Sequence, residues 1–305
     1  MTEPLPFWKM SGAGNDFIVL EAITRPRPIL DSGTIRDLCA RGTSIGADGV
    51  ILLLPPEEIG RVAPLPDIHP TIRPTIQMQH WNADGGENDY CGNGTRCAAR
   101  FAFEHRFAGR DFVLQTAAGN FEAHVLEDGH VRVAAPGRNG GSRLCELTLT
   151  GEAQPVWGCY AVVGVPHFIV EVGNVGSVDV AGVGSRLRSH PDLGAAGANV
   201  DFVALRPDGS IDIRTFERGV EAETLSCGSG AVAAALWLSD RVGAQPVVTL
   251  HTRSGVDLRV ERENVADQPG RAMNAREVIW LIGEARIVFT GLTTPETTPG
   301  TMTAI

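Results

Sequence analysis

The sequence predicts an α/β chain of two similar, strand-rich halves, each holding one helix that opens at a cysteine. Three observations carry that expectation. "LSCGSGAVAAALWLSD" (Leu225 to Asp240) sets Cys227 and a Gly-Ser-Gly turn before alanines and leucines, which are good helix formers. "NDYCGNGTRCAARFAF" (Asn88 to Phe103) repeats that plan around Cys91. Nearly all the rest reads as short apolar or alternating runs separated by Gly, Asp and Pro turns.

The likeness between the halves extends upstream of the cysteines. "GAGNDFIVLE" (Gly12 to Glu21) matches "VGVPHFIVEV" (Val163 to Val172), and "GADGVILL" (Gly46 to Leu53) answers "GANVDFVAL" (Gly197 to Leu205). Phe17 and Phe168, like Gly46 and Gly197, stand about 150 residues apart, and the two cysteines about 136, in the same order. A duplication accounts for all three landmarks.

Taken in chain order, "FIVLEA" reads as a strand, Asp31 to Arg41 as a helix and "GVILLL" as a buried strand. Leu54 to Pro74 carries several prolines and no period, which predicts a surface loop. After the first cysteine helix, "FVLQTAAGNFEAHVL", "VRVAAP", "LTLTG" and "YAVVGVPHFIVEV" are strands. "DFVALRPDGSIDIRTFE" and, beyond the second cysteine helix, "PVVTLHTRSGVDLRVERE" and "VIWLIGEARIVFTG" complete the set. "LEDGHV" and "RPDGSI" hold Asp-Gly hairpin signals. The Thr- and Pro-rich tail from Thr293 reads as disordered.

Composition excludes several classes of function. With a formal net charge of −10 over 305 residues, the chain lacks the basic face that nucleic acid or an anionic membrane would require. No apolar run is long enough to span a bilayer, and "MTEPLPFWKM" has no secretory pattern, so a cytoplasmic location is expected. Six cysteines without a Cys-x-x-Cys pair argue against a disulfide scaffold, a zinc site or a dithiol redox enzyme. Lys9 is the only lysine and has no glycine-rich phosphate cup, which argues against a pyridoxal phosphate Schiff base. Gly12-x-Gly14 lacks the third glycine and helix of a dinucleotide fingerprint.

What remains is the chemistry of two cysteines at two helix N-termini. Unpaired first-turn N–H groups and the positive end of the helix dipole favour a thiolate and a bound carboxylate alike. If two such turns closed on one ligand, a thiolate could remove an α-proton from one face while a thiol returned a proton to the other. Such a pair inverts a stereocentre.

"SGAGNDF", "GADG", "NADGGENDYCGNGTRC", "ERGVEAETLSCGSGA" and the Pro-His-Phe stretch resemble the diaminopimelate epimerase family up to about Gly291. The resemblance implies two pseudo-symmetric domains, each a β-barrel-like sheet around a central helix. The expected boundaries are 1–119 plus 281–305 for the first and 120–280 for the second. It implies cofactor-independent interconversion of LL- and meso-diaminopimelate, a small-molecule substrate, no metal, and an often dimeric assembly.

Carried over by position, Cys91 and Cys227 are the base and acid pair. Gly92, Asn93, Gly228 and Ser229 bind the α-carboxylate. Glu217 and Arg218 contact the substrate's amino group and distal end, His167 and Glu217 tune the thiols, and Asn15, Asn82 and Asn199 line the pocket. Cys39, Cys97, Cys145 and Cys159 have no motif support. Val165 departs from the family's Gly-Asn-Pro-His, so one distal amide contact is missing. The alternatives are a racemase or isomerase of the same fold, similar to proline racemase or the phenazine-pathway isomerase, and a non-catalytic binding protein.

Overall fold

The computed structural model describes residues 4–56, 75–152, 154–266 and 275–297. The chain divides into two units, Met1–Val133 with Glu284–Ile305, and Ala134–Gly283. The first unit runs β1 (Pro6–Gly12), β2 (Asn15–Glu21), α1 (Ser32–Cys39), β3 (Gly49–Leu54), β4 (Ile76–Asn82), α2 (Gly92–Glu104), β5 (Asp111–Thr116), β6 (Gly119–Val125) and β7 (Val131–Ala135). The second runs β8 (Arg143–Leu147), β9 (Val156–Val163), β10 (Val165–Glu171), α3 (Val180–Arg188), β11 (Asn199–Leu205), β12 (Ile211–Glu217), β13 (Ala222–Thr224), α4 (Gly228–Val242), β14 (Val247–His251), β15 (Asp257–Ala266) and β16 (Ala275–Gly283). β17 (Arg286–Leu292) then returns to pair with β1.

Strand pairing follows the same order in both units. β1–β2 is antiparallel, β2–β3 parallel, β3–β4 antiparallel, β4–β5 parallel and β5–β6 antiparallel. β9–β10, β10–β11, β11–β12, β12–β14 and β14–β15 repeat those senses one by one. In each unit one helix contacts the strands as a central element: α2 touches β1 to β4, and α4 touches β9 to β12. The other helix covers the opposite face. Ile35 and Leu38 of α1 pack on Ile18, Leu20, Val50 and Leu52, while Val180 and Leu187 of α3 pack on Phe168, Val170, Val200 and Phe202.

Those packing lists correct the sequence alignment by one residue. Phe168, matched to Phe17 through the shared Phe-Ile-Val, lies on the α3-facing side, which is the side that Ile18 takes in the first unit. Phe17 pairs with Gly49, and His167 with Asn199, so Phe17 corresponds to His167. A slip of one residue exchanges the two faces of a strand, and identical side chains conceal it because both faces are buried.

Further differences have local causes. The strand expected at "LTLTG" lies earlier, over β8. α3 escapes a sequence reading because "VAGVGSRLR" is rich in Gly and Val; Asp179 caps it, and Gly184 lets it lie against Phe216. The expected Asp31 helix begins with Asp31 as cap, its carboxylate accepting from Thr34 N at 2.7 Å. Both Asp-Gly hairpins form, with Gly129 and Gly209 at φ of +85°. The start of the tail is ordered: Thr293 is buried, its hydroxyl accepts from Leu5 N at 2.8 Å, and Thr297 O accepts from Ser44 Oγ. Residues 57–74 of the expected loop and 298–305 of the tail lie outside the described residues.

Candidate active site

Each central helix is capped by its cysteine. Cys91 is the N-cap of α2, its Sγ accepting from Gly94 N at 3.5 Å, and Cys227 is the N-cap of α4, its Sγ accepting from Gly230 N at 3.4 Å. Both have extended φ and ψ and both are half-buried, whereas Cys39, Cys97, Cys145 and Cys159 are buried. Burial pushes the Cys39 thiol up to about 12 and Cys97 higher still. Gly92 and Asn93, or Gly228 and Ser229, form the first turn, whose N–H groups have no acceptor within a helix.

In the first unit, Asn15 and Asn82 sit at the strand ends of β2 and β4. A chain of side chains links Asn15 to the α2 helix. Arg96, fully buried, donates to Asn93 Oδ1 at 2.7 Å, Asn93 Nδ2 donates to Asn15 Oδ1, and Asn15 Nδ2 donates to Asp48 Oδ2 at 3.0 Å. A cation at one end and a carboxylate at the other fix which way each amide points. Asn82 is exposed, and its Oδ1 accepts from Asn88 Nδ2 at 2.8 Å. Lys9 is buried against Asp16 at 2.6 Å, its ammonium also donating to Gly46 O.

In the second unit, His167, Asn199 and Glu217 come from three neighbouring strands, β10, β11 and β12. Asn199 Oδ1 accepts from Arg218 N at 2.8 Å, which holds the chain as it leaves β12. Burial raises the Glu217 carboxyl, while hydrogen bonds from the Thr224 hydroxyl, at 2.6 Å, and from Cys227 oppose the rise. Burial and then the charges of Glu217 and Asp201 push the Cys227 thiol well above its ordinary value. Val165 opens β10 where Asn15 opens β2, so the missing amide is missing at a matched position.

Sequence reasoning missed Arg96 and Asp201. Arg96 looks like a surface residue of an amphipathic helix until its burial is seen. Asp201 stands in "NVDFVAL", where every flanking position is apolar or buried. A lone acid in such a run was the available signal. Among the described residues no group of three or more His, Cys, Asp or Glu is clustered as metal ligands would be. None of the described helices is long and apolar enough to cross a membrane.

Comparison with known proteins identifies the family that the chain is similar to. The family model described as diaminopimelate epimerase matches residues 7–137 and 159–275. A diaminopimelate epimerase of Aquifex aeolicus (strain VF5) is 38% identical over 269 residues, covering 84% of this chain and 90% of that one. One from Gemmatimonas aurantiaca is 35% identical over 291 residues, covering 94% and 98%. Among solved structures, a probable proline racemase from Agrobacterium radiobacter K84 superposes with a TM-score of 0.67 at 19% identity, covering 96% and 95%, a likeness of fold.

Proposed function

This chain belongs to the diaminopimelate epimerase family, and from that premise we propose that it interconverts LL- and meso-diaminopimelate with Cys91 and Cys227 as a two-base pair. The observation that carries the reading is the matched capping: each unit presents a half-buried thiol as the N-cap of its central helix, ahead of a glycine-containing first turn. One cysteine, as thiolate, removes the α-proton; the other, as thiol, returns a proton from the opposite face. The α-carboxylate accepts from first-turn amides, whose dipoles stabilise the charge that develops on it as the proton leaves.

The raised Cys227 thiol supports a proton-donating role for that residue in at least one direction. Asn15, Asn82, Asn199 and Arg218 supply polar groups suited to a substrate with a second amino-acid head. A cytoplasmic setting belongs to the same reading, since a reducing compartment suits six free thiols. A homodimer is the assembly proposed with it.

The test is incubation with LL-diaminopimelate in deuterium oxide, followed by chiral separation and mass spectrometry. The expected product is the meso form carrying deuterium at the inverted carbon, with no product from Cys91→Ala or Cys227→Ala. Absence of turnover by the unaltered chain, or full activity in either variant, overturns the reading.

A further inference from the structure

Three side chains on neighbouring strands of the second unit form a polar cluster with no counterpart in the first. His167 Nδ1 lies 2.7 Å from Asp201 Oδ2, and the Thr215 hydroxyl donates to Asp201 Oδ1 at 2.7 Å. His167 and Asp201 have no solvent exposure and Thr215 has 3%. A Cβ placed on Gly230 would stand 2.4 Å from Asp201 Oδ1, so the carboxylate presses directly on the turn whose amide donates to Cys227 Sγ. His167 Nε2 is buried and has no hydrogen-bond partner among the described residues.

The first unit shows what the fold requires at these places. Its matched positions are Phe17, Ile51 and His80: Ile51 pairs with His80 as Asp201 pairs with Thr215, and Ile51 faces Gly94 as Asp201 faces Gly230. Phe17 meets His80 edge to face at 5.6 Å, and burial lowers His80 to about 4, so that ring is neutral at physiological pH. The same strands and capped helix are thus built there without a buried carboxylate. Burying a charge is costly unless it is paired, so a fold that does without Asp201 in one copy has no structural need of it in the other.

We propose that Asp201 is a positioning residue for Cys227: it holds His167 with its proton on Nδ1 and braces the first turn of α4, so that this cysteine rests as the proton-carrying thiol. Where a carboxylate oxygen accepts from the ring, the proton of the contact is on Nδ1, and Nε2 is the nitrogen left buried without a partner among the described residues. The charged groups acting on Cys227 are Glu217 on β12 and Asp201 on β11, and His167 on β10 contacts Asp201 and acts on Glu217. Both carboxylates favour the neutral thiol over the thiolate. The role rests on the reading of Cys227 as an acid–base group, whereas the placement of the proton does not.

The experiment compares the unaltered chain with Asp201→Asn and with a His167→Phe/Asp201→Ile variant, which copies the first unit at two of the three matched positions and is therefore expected to fold. Alkylation of Cys227 by iodoacetamide is followed against pH by peptide mass spectrometry, and the His167 tautomer is read from imidazole nitrogen-15 shifts. Loss of the Asp201 charge should move the alkylation profile to lower pH by about one unit, with kcat falling about tenfold and KM changing less than about threefold. In the unaltered chain the proton should be on Nδ1.

An alkylation profile that stays in place in both variants overturns the proposal, as does a His167 proton on Nε2 in the unaltered chain. Alkylation needs no substrate. If the unaltered chain fails to turn over diaminopimelate, the proposed function falls while the profiles still decide the role of Asp201.

Discussion

Adding one methyl group at the third position of each central helix should affect the two units very differently. In Gly230→Ala the new Cβ would stand 2.4 Å from Asp201 Oδ1 and 3.2 Å from its Cγ. Ordinary contact requires about 1 Å more, and the carboxylate is held by Thr215 and His167 at 2.7 Å each, so it moves only by stretching a buried charge-assisted hydrogen bond. Such a bond is worth about 1.5–3 kcal/mol, and overpacking adds about 1–3 kcal/mol. Alanine's better helix propensity returns at most about 1 kcal/mol. The net loss is about 1.5–5 kcal/mol, or roughly 4–15 °C in the transition of a unit this size. In Gly94→Ala the nearest atoms are the Ile51 Cδ1 at 3.3 Å and the Met78 Cε at 3.4 Å, both ends of flexible chains. A shift of a few tenths of an ångström suffices there, and the transition should stay within about 3 °C of the parent. Scanning calorimetry on the two variants reads the difference. If Gly230→Ala costs no more than Gly94→Ala, Asp201 is not held as rigidly as its hydrogen bonds indicate.

Two further outcomes follow from single side chains. Val165→Asn places an amide at the start of β10; if, as proposed, Asn82, Asn199 and Arg218 share the distal carboxylate, KM for diaminopimelate should change by less than about tenfold, and steady-state kinetics checks this. Burial alone would raise the Glu21 carboxyl, but the amides of Ile23 and Thr24, the Thr24 hydroxyl and Arg25 outweigh it and hold the group below the usual carboxylate range. A depressed folded pKa contributes stability that is complete above the unfolded value and is lost as pH falls through the folded one. Denaturant melts between neutral and acid pH should therefore show a shallower acid loss in Glu21→Gln than in the parent.

The cysteine helices were legible because their signal is local: a small-residue turn followed by helix formers is a property of consecutive residues. The hairpins at Gly129 and Gly209 were legible for the same reason. The register between the halves was not, because Phe-Ile-Val occurs in both and a strand buried on both faces gives no alternation by which to tell Phe168 from His167 as the partner of Phe17. Arg96 and Asp201 were hidden for a different reason. Whether a charged residue is buried depends on which strand or helix lies opposite, and that is fixed by contacts far apart in sequence. The ordered start of the tail likewise depends on Leu5 and Ser44, which a local reading of Thr- and Pro-rich composition does not see.

The two units act as internal controls for one another. They keep what builds the scaffold: the order of parallel and antiparallel pairs, the capping cysteine, and the third-position glycine that lets a strand side chain approach the helix start. They differ in buried charge, and in opposite senses. Five residues after its cysteine, α2 carries the fully buried Arg96 where α4 carries the fully buried Val232; β11 carries Asp201 where β3 carries Ile51. The Arg96 charge acts on Cys91, and the charges of Glu217 and Asp201 act on Cys227. A cation favours a thiolate and an anion a thiol. A two-base inversion needs one cysteine in each protonation state before substrate arrives, and two identical environments would leave that choice to chance. On the proposed two-base reading, divergence of the buried charges with the capping geometry retained would set the two cysteines apart on the same backbone, a cation beside Cys91 and carboxylates beside Cys227.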